Sequence, residues 1–307
     1  MHSTTLLAFF EFSRTAVSMS GAAILLFLIA LWAAKTDIAQ ARGLDKVVVL
    51  SNLCFALPLA VFGAEHLSAA NGIAQGVPSF VPWHLFWAYF VGFALLAASL
   101  SIATKVQVRW SGLLFGIMMF LFVAMMDIPG ALANRGNRFG WTLLLRELAF
   151  GGGGWLLAAT AMREKSGGPG RGQAASALIT VGRVLVGMAC VFYGAETFLH
   201  PLGMPGVPLE KLMSEWIPLR HLIGYLTGAI LVVAGAGILL NVKTRMAATY
   251  LGTWIVLLVV LVYGPILIAS LADPSTAVKV EGLNYFFDTL LFGGTILALA
   301  SATPHTD

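Results

Sequence analysis

The chain has 307 residues, of which 59% are hydrophobic and only 10% are charged. A water-soluble protein of this length needs more charge on its surface, so the composition excludes that class and predicts an integral membrane protein. The net charge is only +4, with its basic residues dispersed along the chain, which speaks against nucleic-acid binding. Two cysteines without a CxxC spacing exclude a disulfide scaffold.

Nine apolar stretches are long enough to cross a bilayer as helices, because a crossing takes about 20 mostly apolar residues. They do not show the alternation of polar and apolar residues that is typical of a membrane β-barrel. The sequence therefore predicts an all-α polytopic membrane protein with about nine transmembrane helices. We place them at residues 16–34, 47–66, 84–103, 110–128, 141–162, 178–199, 219–240, 246–270 and 283–302.

The lysines and arginines outside the spans fall mainly on one side of the membrane when the spans are threaded in order. One side receives Lys35, Arg42, Lys46, Lys105, Arg109, Arg163, Lys165, Arg171, Lys243 and Arg245, and the other receives Arg14, Arg135, Arg138, Lys211 and Lys279. Basic loops mark the cytoplasmic side. We expect a bacterial inner-membrane protein with its N-terminus outside and its C-terminus in the cytoplasm. We expect the first span to be a retained helix, with a cleaved signal peptide as the alternative.

The sequence contains an internal duplication. Residues 81–109 align without gaps with residues 217–245. The matching pairs in this alignment are Pro82/Pro218, Tyr89/Tyr225, Gly92/Gly228 and Arg109/Arg245. Upstream and downstream, Phe62-Gly-Ala-Glu65 matches Tyr193-Gly-Ala-Glu196, and Phe150-Gly-Gly matches Phe292-Gly-Gly. In the same register, Asp288 takes the place of Arg146.

The duplication predicts two four-helix units behind one leading helix. We assign an N-terminal segment to 1–45, the first unit to 46–162, a cytoplasmic linker to 163–177 and the second unit to 178–302. Each unit has an even number of spans, so both copies have the same orientation. The axis that relates them is then expected to run along the membrane normal, as in transporters with parallel repeats.

The repeated unit resembles the DoxX family. The features that carry the resemblance are Gly-Ala-Glu at the end of the first helix, a Gly-x-Pro loop, a Gly-rich second helix and a basic turn. The resemblance covers about 46–302 and is strongest at 181–250. The family includes DoxD-type membrane subunits associated with thiosulfate:quinone oxidoreductase. It therefore implies a membrane component of a redox system, with a quinone as the candidate cofactor and a separate redox partner protein. Family members often carry an acidic residue early in the second helix, where this chain has Tyr89 and Tyr225.

Ionisable residues inside spans are costly and mark candidate functional sites. Most of them lie towards the predicted outer ends of the helices, which predicts an outward-facing polar basin. Glu65 and Glu196, at matched positions, are the candidate catalytic residues that handle protons. A structural role, in which each glutamate caps neighbouring amides, is the alternative. The candidate substrate-binding residues are Arg146, Asp288, Asp127, Arg220, Tyr89 and Tyr225. We expect Arg146 to pair with Glu65 or Glu147, and Arg220 with Glu196 or Asp288.

No metal site is predicted, because Glu196 and His200 form the only helical spacing of an acid with a histidine among the outer-face histidines. Three functions stay open. The first is a membrane component of a quinone-linked redox system, the second is a non-catalytic assembly or partner-binding protein, and the third is a small-solute transporter. The lipid bilayer is the expected partner, whereas the sequence leaves open the oligomeric state and whether the chain is itself an enzyme.

Overall fold

The computed structural model describes residues 2–164 and 169–304, with side chains at 14–163 and 172–304. Within these ranges it contains helices and no β-strand, apart from an isolated bridge between Gly203 and Leu212. The long helices are α1 (His2–Gln40), α2 (Ser51–Ser68), α3 (His84–Ala103), α4 (Val108–Ala133), α5 (Arg138–Glu164), α6 (Pro169–Leu199), α7 (Arg220–Leu239), α8 (Thr244–Ala272) and α9 (Thr276–Ala302). Short helices at Asp45–Val48, Ala70–Ile73 and Ala74–Gly76 lie in the connections.

Eight of these helices in the described part of the chain are long and apolar enough to span a membrane. The prediction of an all-α polytopic membrane protein is therefore confirmed. The ninth long helix, α5, has 27 residues but is less apolar, because it carries Arg146, Glu147 and four consecutive glycines. It packs against α4, α6 and α9, so protein surrounds it on several sides.

The connection between the predicted units is shorter than expected. Helix α5 continues to Glu164 and α6 begins at Pro169, so most of the predicted linker 163–177 is helical. The Ala-rich sequence at 174–177 favours the part of this helix next to the predicted span, since alanine has the highest helix propensity. Residues 165–168 of the predicted linker lie outside the described residues.

The two predicted units interlock. The first helix of each unit packs against the second helix of its own unit and against the fourth helix of the other unit. Thus α2 contacts α3 and α9, whereas α6 contacts α7 and α5. The two fourth helices, α5 and α9, also contact each other, and α1 lies against α2 and α9. Protein covers 83% of the apolar stretch of α9 and 72% of that of α2, so these two helices form the centre of the bundle.

Matched positions of the two units have matching local structure. Six non-glycine residues in the described ranges have a positive φ, and they form three matched pairs, namely Trp83/Leu219, Lys105/Asn241 and Gln107/Lys243. Such a conformation is uncommon outside glycine, so its recurrence at three matched positions agrees with the internal duplication. The packing of the first helix on the second also recurs. A Cβ atom at Gly63 would lie 3.0 Å from the carbonyl oxygen of Gly92, and one at Gly194 would lie 2.9 Å from that of Gly228.

The third helix of each unit contains a π-helical turn, at Val123–Asp127 in α4 and at Val259–Tyr263 in α8. Pro129 and Pro265 follow the two turns. A proline has no N–H to donate and its ring clashes with the carbonyl group four residues earlier, so the helix widens locally. The last residues of the two turns, Asp127 and Tyr263, therefore occupy matched places. The Tyr263 hydroxyl donates a hydrogen bond of 2.8 Å to the carbonyl oxygen of Pro205.

The C-terminal end of α7 is capped by a side chain from α6. Arg183 Nη1 donates to the carbonyl oxygens of Ile238 and Leu239 at 2.6 and 2.7 Å. The matched contact in the first unit is made by Asn52 Nδ2, which donates to the carbonyl oxygen of Ile102 at 3.2 Å. The last carbonyl groups of a helix have no partner within the helix, so these side chains satisfy them.

We expect the Arg183→Met variant to lower the free energy of unfolding by about 1.5–3 kcal/mol, because it removes hydrogen bonds from a charged donor to these carbonyl groups. The free energy can be measured by SDS titration of the purified protein in mixed micelles. The exposed Lys243 provides the control, and we expect Lys243→Met to leave the unfolding midpoint unchanged. An equal loss of stability in the two variants would contradict the capping role.

Candidate functional site

A cavity of about 630 Å³ lies between helices of both predicted units. Helices α2, α3, α4, α5 and α9 all contribute to its wall, near the end of the bundle where α2 ends and α9 begins. Its polar and ionisable lining residues are Glu65, His66, Arg146, Glu147, Glu281, Asn284, Tyr285 and Asp288. Much of the remaining wall is aromatic, with Phe62, Phe115, Phe122, Phe139 and Phe150. Polar groups that converge in an otherwise apolar cavity are the usual features of a ligand site.

Arg146 is the central cation of the cavity. Its Nη2 atom lies 2.7 Å from Glu147 Oε1, and its Nη1 atom lies 3.2 Å from Asp288 Oδ1. Arg146 and Asp288 occupy matched positions on the two fourth helices. Because these helices pack against each other, matched residues meet across the contact. Gly153 and Thr295 are a second matched pair, and a Cβ atom at Gly153 would lie 2.7 Å from Thr295 Oγ1.

Glu65 reaches the same cavity from α2. Asn284 Nδ2 on α9 donates a hydrogen bond of 2.9 Å to Glu65 Oε1. Asn284 and Asp288 are four residues apart and therefore lie on one face of α9. This face holds the arginine of the first unit through Asp288 and the glutamate of the first unit through Asn284. The cavity is thus built at the contact between the two predicted units.

The cavity has more hydrogen-bond acceptors than donors. Asp288 Oδ2 and Asn284 Oδ1 are buried and have no hydrogen-bond partner among the described residues. Buried polar atoms in proteins are nearly always paired. Glu281 forms a salt bridge of 2.7 Å with Lys211, which leaves Glu65, Glu147 and Asp288 beside a single arginine. The surplus acceptors require protons, water or the O–H or N–H groups of a ligand.

The structure brings together three of the predicted site residues in the wall of the cavity, namely Glu65, Arg146 and Asp288. A fourth, Asp127, lies close enough to Arg146 and Glu147 to interact electrostatically. Its buried Oδ2 atom has no hydrogen-bond partner in the described ranges. The π-helical turn ahead of Pro129 places Asp127 there. The expected pairing of Arg146 with Glu147 is present, and Arg146 also pairs with Asp288.

Glu196 occupies a different site from Glu65. Its Oε2 atom lies 3.2 Å from Arg138 Nη1, at the contact between α6 and α5. Both glutamates thus bind the fourth helix of the opposite unit. However, Glu65 meets an asparagine beside a cavity, whereas Glu196 meets an arginine. The matched positions therefore have unequal surroundings.

The other predicted residues lie away from the cavity. Arg220 Nη2 is 3.8 Å from Glu215, whose side chain is 93% exposed, so the expected pairing with Glu196 or Asp288 is absent. Tyr89 and Tyr225 are exposed on the outer surfaces of α3 and α7. The polar cavity residues Glu281, Asn284 and Tyr285 were not predicted. The position of Asn284 one turn before Asp288 was a signal for it.

Within the described residues, no group of three or more histidine, cysteine, aspartate or glutamate side chains is arranged to hold a metal ion. The buried Cys54 and Cys190 are free thiols. Comparisons of the chain with protein-family models, with curated proteins and with solved structures found no match.

Proposed function

We propose that this protein is a DoxX-like membrane component of a quinone-linked redox system, and that the cavity binds the quinone head group. The observation that carries the proposal is the pair of unpartnered buried acceptors, Asp288 Oδ2 and Asn284 Oδ1, beside the Arg146 guanidinium. A quinone head group has carbonyl oxygens that accept hydrogen bonds, and its reduced form has hydroxyl groups that donate them. The Arg146 guanidinium can donate hydrogen bonds to the carbonyl oxygens of the quinone. The surplus acceptors can accept hydrogen bonds from the hydroxyl groups of the reduced form.

The carboxylates account for proton transfer in this proposal. Reduction of a quinone consumes two electrons and two protons, and oxidation of the quinol releases them. Glu65 and Asp288 line the cavity from α2 and α9, where a carboxyl group within hydrogen-bond reach of the head group can act as a general acid or base. The electrons are exchanged with a separate redox partner protein. The resemblance of the repeated unit to the DoxX family supports the same function.

The two matched glutamates provide the test of this proposal. We expect Glu65→Gln to weaken quinone binding about ten- to a hundredfold, the effect of losing a hydrogen bond to a charged group. We expect Glu196→Gln to leave binding unchanged, because Glu196 lies outside the cavity. Calorimetric titration of decylubiquinone into nanodisc-embedded protein measures the affinity, and thermal unfolding of both variants measures their stability. Equal affinities of the two variants, or a wild-type protein that binds no quinone, would refute the proposal.

A second candidate function, transport of a small solute, is favoured by the position of the cavity between two parallel repeats. Transporters with such repeats bind their substrates at this kind of contact. Solute flux into vesicles that contain the purified protein is the test, and flux that depends on Glu65 without quinone binding would favour transport. A third function, partner binding without chemistry, is tested by the same material, since it requires a stable partner that co-purifies with the chain.

A further inference from the structure

A second space adjoins the cavity. It is a groove of about 770 Å³ between α3 and α4, and its wall is mostly apolar. Small residues on α3, namely Ala88, Ala94, Ala97 and Ala98, leave room along its length. Several of the lining side chains on the two helices are exposed, among them Phe90, Leu114, Ile117 and Leu121. Since these helices span the membrane, the groove faces the hydrocarbon region of the bilayer.

The groove and the cavity share part of their walls. Four residues, His66, Val91, Phe115 and Phe122, belong to the walls of both. The His66 ring is held by a hydrogen bond of 2.7 Å between its Nδ1 atom and the carbonyl oxygen of Phe62. A molecule that extends past these side chains has a polar end in the cavity and an apolar end in the groove.

The second unit provides an internal comparison. There, Trp254 Nε1 on α8 donates a hydrogen bond of 3.1 Å to Thr227 Oγ1 on α7, so an indole ring bridges the second and third helices. The matched residues of the first unit are Met118 and Val91, which line the groove instead. The same place is therefore bridged in one unit and open in the other.

We propose that the groove between α3 and α4 holds the hydrocarbon chain of a membrane-dissolved ligand whose polar head group lies in the cavity. The inference rests on the proposed function and specifies its substrate class as a long-chain isoprenoid quinone that enters sideways from the bilayer. The hydrocarbon chain of the ligand passes from lipid into an equally apolar groove, so this transfer adds little binding energy. The groove instead provides the exit that an attached chain needs when the head group is seated.

The test places an indole ring in the groove at the position where the second unit has Trp254. Met118 lines the groove but not the cavity, so Met118→Trp blocks the chain without altering the cavity wall. We expect at least a tenfold loss of affinity for decylubiquinone, with unchanged affinity for the same quinone head group without its alkyl chain. Val233→Trp, which adds an indole to an exposed position of α7, is the control and should bind both compounds normally.

The outcomes separate the two proposals. If Met118→Trp binds decylubiquinone like the wild type, the chain does not lie in the groove, and this inference fails while the proposed function stands. If the wild type binds neither compound, the proposed function fails. Should Met118→Trp not fold, a decylubiquinone analogue with a photoreactive group at the end of its chain is bound to the wild type. Labelling of peptides from α3 and α4 supports the inference, whereas labelling elsewhere overturns it.

Discussion

The Arg146→Met variant is expected to lose about 3–5 kcal/mol of unfolding free energy, the range found when one partner of a buried ion pair is removed. Asp288 is only 6% exposed, and its Oδ1 atom and Glu147 Oε1 both depend on this guanidinium. Without the arginine, two carboxylates remain in a largely apolar cavity with no cation beside them. Nothing in the methionine side chain can satisfy them.

The measurement is an SDS titration in mixed micelles, with Lys105→Met as the control. Lys105 forms its salt bridge with Asp37 at the surface, where both side chains are more than a third exposed. Such pairs contribute about 0–1 kcal/mol. Adding Asp288→Asn to Arg146→Met should restore part of the lost stability, because it removes one of the uncompensated charges. If Arg146→Met is no less stable than Lys105→Met, the pair does not hold the two units together.

A second large effect is expected for Gly294→Ala, which should cost about 3 kcal/mol, the upper end of the range for overpacking. The added Cβ atom would lie 2.7 Å from both the carbonyl carbon of Cys54 and the nitrogen of Phe55. These atoms belong to the backbone of α2, which cannot rotate away. The substitution therefore has to push α9 and α2 apart at the centre of the bundle.

The neighbouring Gly293→Ala is a closely matched control. Its Cβ atom would first meet Ile255 Cγ2, at 3.2 Å, a side-chain methyl group that has to move by only a few tenths of an ångström. Both variants gain the same helix propensity, so the difference between them reports the contact alone. We expect Gly293→Ala to stay within about 1 kcal/mol of the wild type, as a small, relieved contact should. Thermal unfolding in the same detergent measures the stability of both variants. Identical unfolding midpoints of the two would show that α2 and α9 can move apart at little cost in free energy.

The fold could be predicted from the sequence because the apolar stretches are long and separated by charged turns. Each predicted span coincides with a long helix, including α5, whose charges lower its hydropathy. The π-helical turns were not predicted, although Pro129 and Pro265 at matched positions were a visible signal. A proline inside an apolar stretch shows that the helix must adjust, but several adjustments satisfy that requirement.

The candidate site could be predicted only in part. The alignment indicates that Arg146 and Asp288 correspond, and the cost of burying charge indicates that each needs a partner. Which partner each one meets depends on the packing of the fourth helices against each other, and no local pattern encodes this packing. For the same reason, Glu65 and Glu196 look equivalent in the sequence although only Glu65 lines the cavity. Arg220 finds its partner at the surface, because Glu215 is nearby in the chain.

The interlocked arrangement of the helices has a consequence for biosynthesis. The ribosome delivers α2 early, but α9, one of the helices that pack against it, follows only after six other long helices. Until α9 emerges, the face of α2 that packs against α9 is therefore uncovered, and Glu65 lacks its partner on α9. Contacts between distant parts of a chain form late and slowly. A polypeptide truncated before α9 would consequently leave Glu65 without Asn284 and Arg146 without Asp288, and such charges within the membrane are features by which quality-control proteases can recognise an unfinished chain.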